Sequence, residues 1–171
     1  MLKLDRKLFH SGDLAVLWGI SNKNTLYTTI KRYVQKGVLI PVYKGLYSVI
    51  PISKIDPYAL GVSVIHGFTY LSTETVLANN GIIFQTIYPY TFIAGLSKKT
   101  RIKDYIFLFR RMKPEYLHNM AGISNQNGVL IASPERAVAD MLYFNKKYHF
   151  DSSDKIDWKR VRAIQKEVDY G

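Results

Sequence analysis

Ser11 to Tyr47, SGDLAVLWGISNKNTLYTTIKRYVQKGVLIPVYKGLY, is the stretch whose reading decides the rest. Ser11 suits the N-cap of a helix running to about Trp18, and Gly19 suits a sharp turn through positive φ. A second helix follows at once. Ser21 or Asn22 offers its cap, Leu26, Ile30, Tyr33 and Val34 recur at helical spacing, and Gly37 marks its C-terminal stop. Val38 to Tyr43 and Leu46 to Ile50 are β-branched or aromatic runs separated by Lys44-Gly45, the pattern of a hairpin.

Projected at roughly 100° per residue, the second helix sets Asn24, Thr28, Lys31 and Gln35 opposite its apolar stripe. Thr25 and Arg32 fall on one flank and Tyr27 on the other. No carboxylate occurs between Asp13 and Asp56. A helix that enters a major groove needs such a face, with amides and hydroxyls for base edges and cations for phosphates. The same face would also serve a solvated helix that touches nothing; the turn and hairpin beside it favour the nucleic-acid reading. Two helices joined by a tight turn and followed by a hairpin are the layout of a winged helix-turn-helix. Its expected DNA contacts are Lys23, Asn24, Thr25, Tyr27, Thr28, Lys31 and Arg32 on the helix and Lys44 at the tip of the wing. Tyr43 and Tyr47 are expected to pack the wing on the helices.

Charge points the same way. The 171 residues carry a formal net charge of +11, with a pI near 9.7, a balance that favours a polyanionic partner. Lysines and arginines at 3, 6, 7, 23, 31, 32, 36, 44 and 54 face only Asp5 and Asp13 before residue 56, so the excess concentrates in the helix and hairpin segment. With 47% hydrophobic residues the chain has the means for a real core. The absence of cysteine excludes disulfides, thiolate metal sites and a cysteine nucleophile. The N-terminus is charged, Leu14 to Ile20 is a short run that fits a core-facing helix, and Tyr105 to Phe109 is too short to cross a bilayer. A cytoplasmic protein away from membranes is expected.

Before the motif, Leu2, Leu4, Leu8 and Phe9 suggest a short first helix or arm. After it, Pro51, Ser53-Lys54 and Pro57 punctuate the chain, which places a boundary near residue 54: a winged helix-turn-helix domain over 1–54 and an α+β domain over 55–171. Asp56-Pro57 reads as an N-cap and first helical position for a helix to about Ile65. Phe68 to Leu71 reads as extended, and Ser72 as the cap of a helix from Thr73 to Asn79 that stops at Asn80-Gly81. Ile82 to Tyr88, Thr91 to Ala94, Arg101 to Tyr105 and Ile106 to Arg111 have strand composition. Arg101, Lys103, Arg110 and Arg111 form a basic stripe there, which suits either the guarding of a sheet edge or a polyanion. Met120 to Ser124 and Val129 to Ala132 read as a hairpin around Asn127-Gly128. Ser133-Pro134-Glu135 opens a helix, 145–154 is a polar loop, and Asp157 caps a final helix over Trp158 to Val168 with Lys159, Arg160, Arg162 and Lys166 beside its apolar stripe.

Little in the chain suggests catalysis. His10, His66, His118 and His149 are scattered, with no metal-ligand spacing. Neither a dinucleotide fingerprint, a phosphate-binding loop nor a nucleophile elbow occurs. Glu135 and Asp140 lie five apart on one helix and do not share a face. A non-enzyme without metal or cofactor is expected.

The order of these blocks, GISNKNTLYTTIKRYVQKGVLIPVYKGLY, then DPYAL, then YLSTETVLANNGI, then SPERAVADML, resembles the AbiEi family of type IV toxin-antitoxin antitoxins up to about Phe144. KGLY, YLSTETVLANNG and SPERAVADML carry most of that likeness. The resemblance implies a winged helix that binds inverted repeats in double-stranded DNA and represses its own operon, and a second domain that counters a nucleotidyltransferase-like toxin. A homodimer, or two monomers on one operator, is expected from half-site geometry. One rival is a free-standing transcription factor whose second domain senses a ligand or dimerises; another is a nuclease built on Asp157-Trp158-Lys159.

Overall fold

The computed structural model describes residues 6–85 and 89–170. It is a mixed α+β chain that divides after Val64 into two compact units. The first unit therefore runs past the proline-marked boundary at residue 54 and takes in one more helix.

In the first unit, β1 (Leu8–His10) leads into α1 (Ser11–Trp18) and α2 (Lys23–Gln35), and β2 (Ile40–Tyr43) and β3 (Leu46–Ser48) form a hairpin. β3 is the central strand, with β1 and β2 antiparallel on either side. Leu8 and Phe9 thus belong to a strand and not to a first helix, because β3 offers them a partner: Leu8 lies opposite Ser48 and His10 opposite Leu46. Leu2 and Leu4 lie outside the described residues. The cap of α1 also differs from expectation. Ser11 is the first helical residue, and its N–H donates to the Gly45 carbonyl at the hairpin turn (2.8 Å). His10 precedes the helix, and its N–H donates to Asp13 Oδ2 (2.8 Å), a carboxylate in the first turn reaching back.

Gly19, at φ +64°, reverses the chain between the helices. Asn22 then caps α2, its Oδ1 accepting the Thr25 N–H (3.1 Å). Phe9, Leu14, Leu26, Ile30 and Leu39 form the core, with Trp18, Ile20, Val34 and Tyr47 packed around it. Trp18 stacks on Tyr33 with ring centroids 5.1 Å apart. The run Leu14 to Ile20 is only partly core-facing, since Val16 and Leu17 are exposed. A short 3-10 turn (Ile52–Lys54) leads to α3 (Pro57–Val64), where Asp56 Oδ2 accepts the Ala59 N–H.

The second unit carries β4 (Thr69–Leu71), α4 (Thr73–Asn79), β5 (Tyr90–Ala94), β6 (Lys98–Ile102), β7 (Tyr105–Arg111), α5 (Pro114–Leu117), β8 (Ile123–Gln126), β9 (Val129–Ala132), α6 (Pro134–Phe144) and α7 (Trp158–Val168). The strands form one mixed sheet in the order β6-β7-β5-β4-β9-β8. β5 and β7 run parallel, as do β4 and β9, and the remaining neighbours are antiparallel. α6 packs between α4 and α7, and Val161, Ile164 and Val168 bury the apolar stripe of α7. Ser133 and Asp157 cap α6 and α7 as expected.

Three readings change here. Ile82 and Ile83 are buried in a turn after α4 and not in a strand: Ser152 N–H donates to the Ile82 carbonyl and Phe84 N–H to Asp151 Oδ2, so neighbouring loop groups satisfy the backbone. Residues 86–88 lie outside the described residues. Ser72 precedes α4, but its hydroxyl donates to Asp140 Oδ2 (2.6 Å) instead of capping. Lys103-Asp104 is a turn between β6 and β7, so the strand predicted from Arg101 to Tyr105 divides there.

Candidate nucleic-acid interface

Asn22 fixes the start of α2, and the buried pair Leu26 and Ile30 fixes its rotation on the core. The remaining directions follow from the helical period. Lys23, Asn24, Thr25, Tyr27, Thr28, Lys31 and Arg32 are all exposed on this one helix, and Lys44 is exposed at the hairpin turn. Thr25 is the least available of them, because its N–H and its hydroxyl both turn to Asn22 Oδ1. Tyr27 stands beside the hairpin: burial, and then the neighbouring Tyr27, push the Tyr47 phenol above its ordinary value.

Among the described residues, no carboxylate pairs with the cations of this face. Asp13 is engaged by Arg6, and none of Lys23, Lys31, Arg32, Lys36 or Lys44 forms an ion pair among the described residues. Their field is thus available to a polyanion instead of being spent internally.

Sequence reading missed one feature of the helix. Thr29, Arg32, Tyr33 and Lys36 line a notch of about 140 Å³ on the flank between the apolar stripe and the outward face. Tyr33 is held by its stack on Trp18, and the Thr29 hydroxyl donates to the Thr25 carbonyl (2.8 Å). The signal was present, since these residues recur at i, i+3, i+4 and i+7.

The second unit holds a different kind of polar cluster, inside SPERAVADML. Arg136 and Asp140 are fully buried and paired one helical turn apart (Nε to Oδ1, 2.9 Å). Arg136 also donates to the carbonyls of Asn119 (2.9 Å), Ala121 (2.8 Å) and Tyr116, and to the Tyr70 hydroxyl (2.9 Å), which occupies every N–H of the guanidinium. Asp140 accepts from Ser72, Tyr70 and Tyr170 as well. Burial tends to lower the Arg136 pKa, but Asp140 and the nearby phenols outweigh it and raise it. Burial, then the Asp140 charge, push the Tyr70 and Tyr170 phenols well above their ordinary value. A cluster so saturated ties β4, α5, α6 and the chain after α7 together and leaves no donor for a ligand.

Asp157, the acid on which a nuclease reading rests, accepts the Arg160 N–H (3.0 Å) as the cap of α7. Among the described residues no group of three His, Cys, Asp or Glu is placed to hold a metal ion, and no helix is long and apolar enough to cross a membrane. Of the basic stripe, Arg110 is paired with Glu74 and lies over the Phe144 ring, while Arg101, Lys103 and Arg111 are exposed.

Compared with known protein families and with curated proteins, the chain matches no family model and no curated sequence.

Proposed function

We propose that the chain is a winged-helix DNA-binding protein that represses its own operon and acts as the antitoxin of a type IV toxin-antitoxin pair. The observation that carries the DNA-binding part is the outward face of α2, where amide, hydroxyl and cationic side chains stand exposed and, among the described residues, unpaired by a carboxylate. The turn at Gly19, and the β2 and β3 hairpin with Lys44 at its tip, support the winged-helix reading. In this role Asn24 and Thr28 meet base edges, Lys23, Lys31 and Arg32 meet phosphates, Tyr27 packs where helix and wing meet, and Lys44 reaches the backbone or minor groove. Its partner is duplex DNA bearing inverted repeats, bound in the cytoplasm by two copies.

The antitoxin part rests on the resemblance of YLSTETVLANNG and SPERAVADML to AbiEi antitoxins. Both blocks meet in the buried cluster of Tyr70, Ser72, Arg136 and Asp140, which supports reading them as the framework of one domain and not as a catalytic centre. The second unit then counters a nucleotidyltransferase-like toxin with no turnover of its own.

One full-length variant separates the two tasks. Lys31→Ala combined with Arg32→Ala abolishes repression of the upstream promoter and leaves protection against the toxin encoded next to it intact. Retained repression would refute the α2 assignment, and no protection by the unmodified chain would refute the antitoxin assignment.

A further inference from the structure

Four strands lie at sheet edges among the described residues, and three of them carry features that prevent edge-to-edge pairing. β1 is only three residues long, β2 contains Pro41 and a bulge between Pro41 and Tyr43, and β6 carries Lys98, Lys99 and Arg101. β8, Ile-Ser-Asn-Gln, is one residue longer than β1 and carries no proline, bulge or charged side chain. Its register with β9 is regular from Ile123 opposite Ala132 to Gln126 opposite Val129, and Ser124, Asn125 and Gln126 are exposed.

Gln126 and Val129 flank the two-residue turn Asn127-Gly128 and so form the hydrogen-bonded pair that closes the hairpin. Alternation along the strand then turns the N–H and C=O of Asn125 away from β9, toward the open edge.

We propose that β8 is a self-association edge, on which a second copy of this chain pairs its own β8 antiparallel about a two-fold axis at Asn125. Charge selects that occupant. The chain carries +11, so most of its surface repels another copy, yet no Lys, Arg, Asp or Glu occurs between Glu115 and Glu135. For the same reason the edge offers nothing to a polyanion or to an acidic partner. Self-pairing is also chemically matched. Asn125 faces Asn125 of the other copy and exchanges two backbone hydrogen bonds with it, while each Ser124 faces a Gln126, an amide and hydroxyl combination that already meets within one strand (3.5 Å). The two six-stranded sheets become one continuous sheet. Because a four-residue edge makes few bonds, the dimer forms in a concentration-dependent way. This surface does not depend on the DNA-binding reading.

The test is sedimentation velocity of the full chain over a concentration series without DNA. Asn125→Asp keeps an oxygen to accept the Gly128 N–H (2.9 Å), so the turn is preserved. The unmodified chain shifts from monomer to dimer as concentration rises. Asn125→Asp and Asn125→Lys, which each set like charges face to face, weaken dimerisation about tenfold or more. An equimolar mixture of the two regains the dimer, because opposite charges then meet across the axis. A monomer at every concentration, a dimer untouched by both substitutions, or a mixture that stays monomeric would overturn the proposal.

Discussion

Arg136 and Asp140 lie one turn apart on α6 and form an ion pair in which both side chains are fully buried. Such a pair gains little over a well-packed apolar pair, yet breaking it from one side is costly, because the partner stays charged out of water. Arg136→Met or Asp140→Asn alone should therefore destabilise the second unit by about 3–5 kcal/mol, and the combination of Arg136→Met with Asp140→Leu by much less. Urea unfolding in a Trp18→Phe background, where Trp158 on α7 is the only indole, reads this out.

The phenols around that pair predict an alkaline weakness. An unfolded tyrosine ionises near pH 10, whereas burial and then the Asp140 charge hold Tyr70 and Tyr170 protonated above that in the folded state. Unfolding above about pH 10 thus releases protons, and stability falls by about 1.4 kcal/mol per pH unit for each of the two. The loss begins at the unfolded pKa and continues upward, with no effect below it. Tyr170→Phe should reduce the slope between pH 10 and 11, measured as the urea midpoint reported by Trp158.

Gly122 and Gly37 both sit at positive φ, +69° and +70°, but only one is crowded. A Cβ at Gly37 meets nothing within 4 Å, while at Gly122 it would lie 2.8 Å from Arg136 Cβ and 3.0 Å from Ile164 Cδ1. Gly37→Ala should cost about 1 kcal/mol from backbone strain alone. Gly122→Ala should cost a further ~1–3 kcal/mol, since the neighbours belong to packed α6 and α7. Thermal unfolding followed at Trp18 for the first variant and Trp158 for the second compares them.

The notch on α2 extends the expected DNA contacts by one cation. Lys36→Ala should weaken binding to every duplex alike and lower the salt dependence of log K by about 0.9, the release expected for one phosphate contact. Thr29→Val, which removes a hydroxyl already committed to the Thr25 carbonyl, should leave the salt dependence unchanged. Anisotropy titrations at several salt concentrations distinguish the two.

What the sequence made legible was local. Asn22, Ser133 and Asp157 cap their helices, and Asn127-Gly128 turns its hairpin, because each signal acts within three or four residues. The misses needed distant partners. Leu8 and Phe9 become a strand only because β3 lies some forty residues on. Ile82 and Ile83 have strand composition, but the Ile82 carbonyl accepts from Ser152 and the following Phe84 N–H donates to Asp151. Ser72 abandons its cap for Asp140 (2.6 Å), a residue on another helix. Of the candidate interface, the direction of α2 and the helical spacing of the notch residues were legible from its period, whereas the commitment of the Thr25 hydroxyl to Asn22 depends on side-chain placement. The buried pair had the right spacing in the sequence, but nothing near it announces that Tyr70 and Tyr170 close over it.

The central claim is that the exposed face of α2 reads duplex DNA, and a salt-resolved anisotropy titration against the proposed operator, a duplex from upstream of its own reading frame, tests it most directly. Lys31→Ala with Arg32→Ala should weaken binding to operator and unrelated duplex equally and reduce the salt slope by about 1.8. Asn24→Ala should instead lose about 1–3 kcal/mol on the operator alone. Unchanged affinity for operator in all these variants would contradict the account.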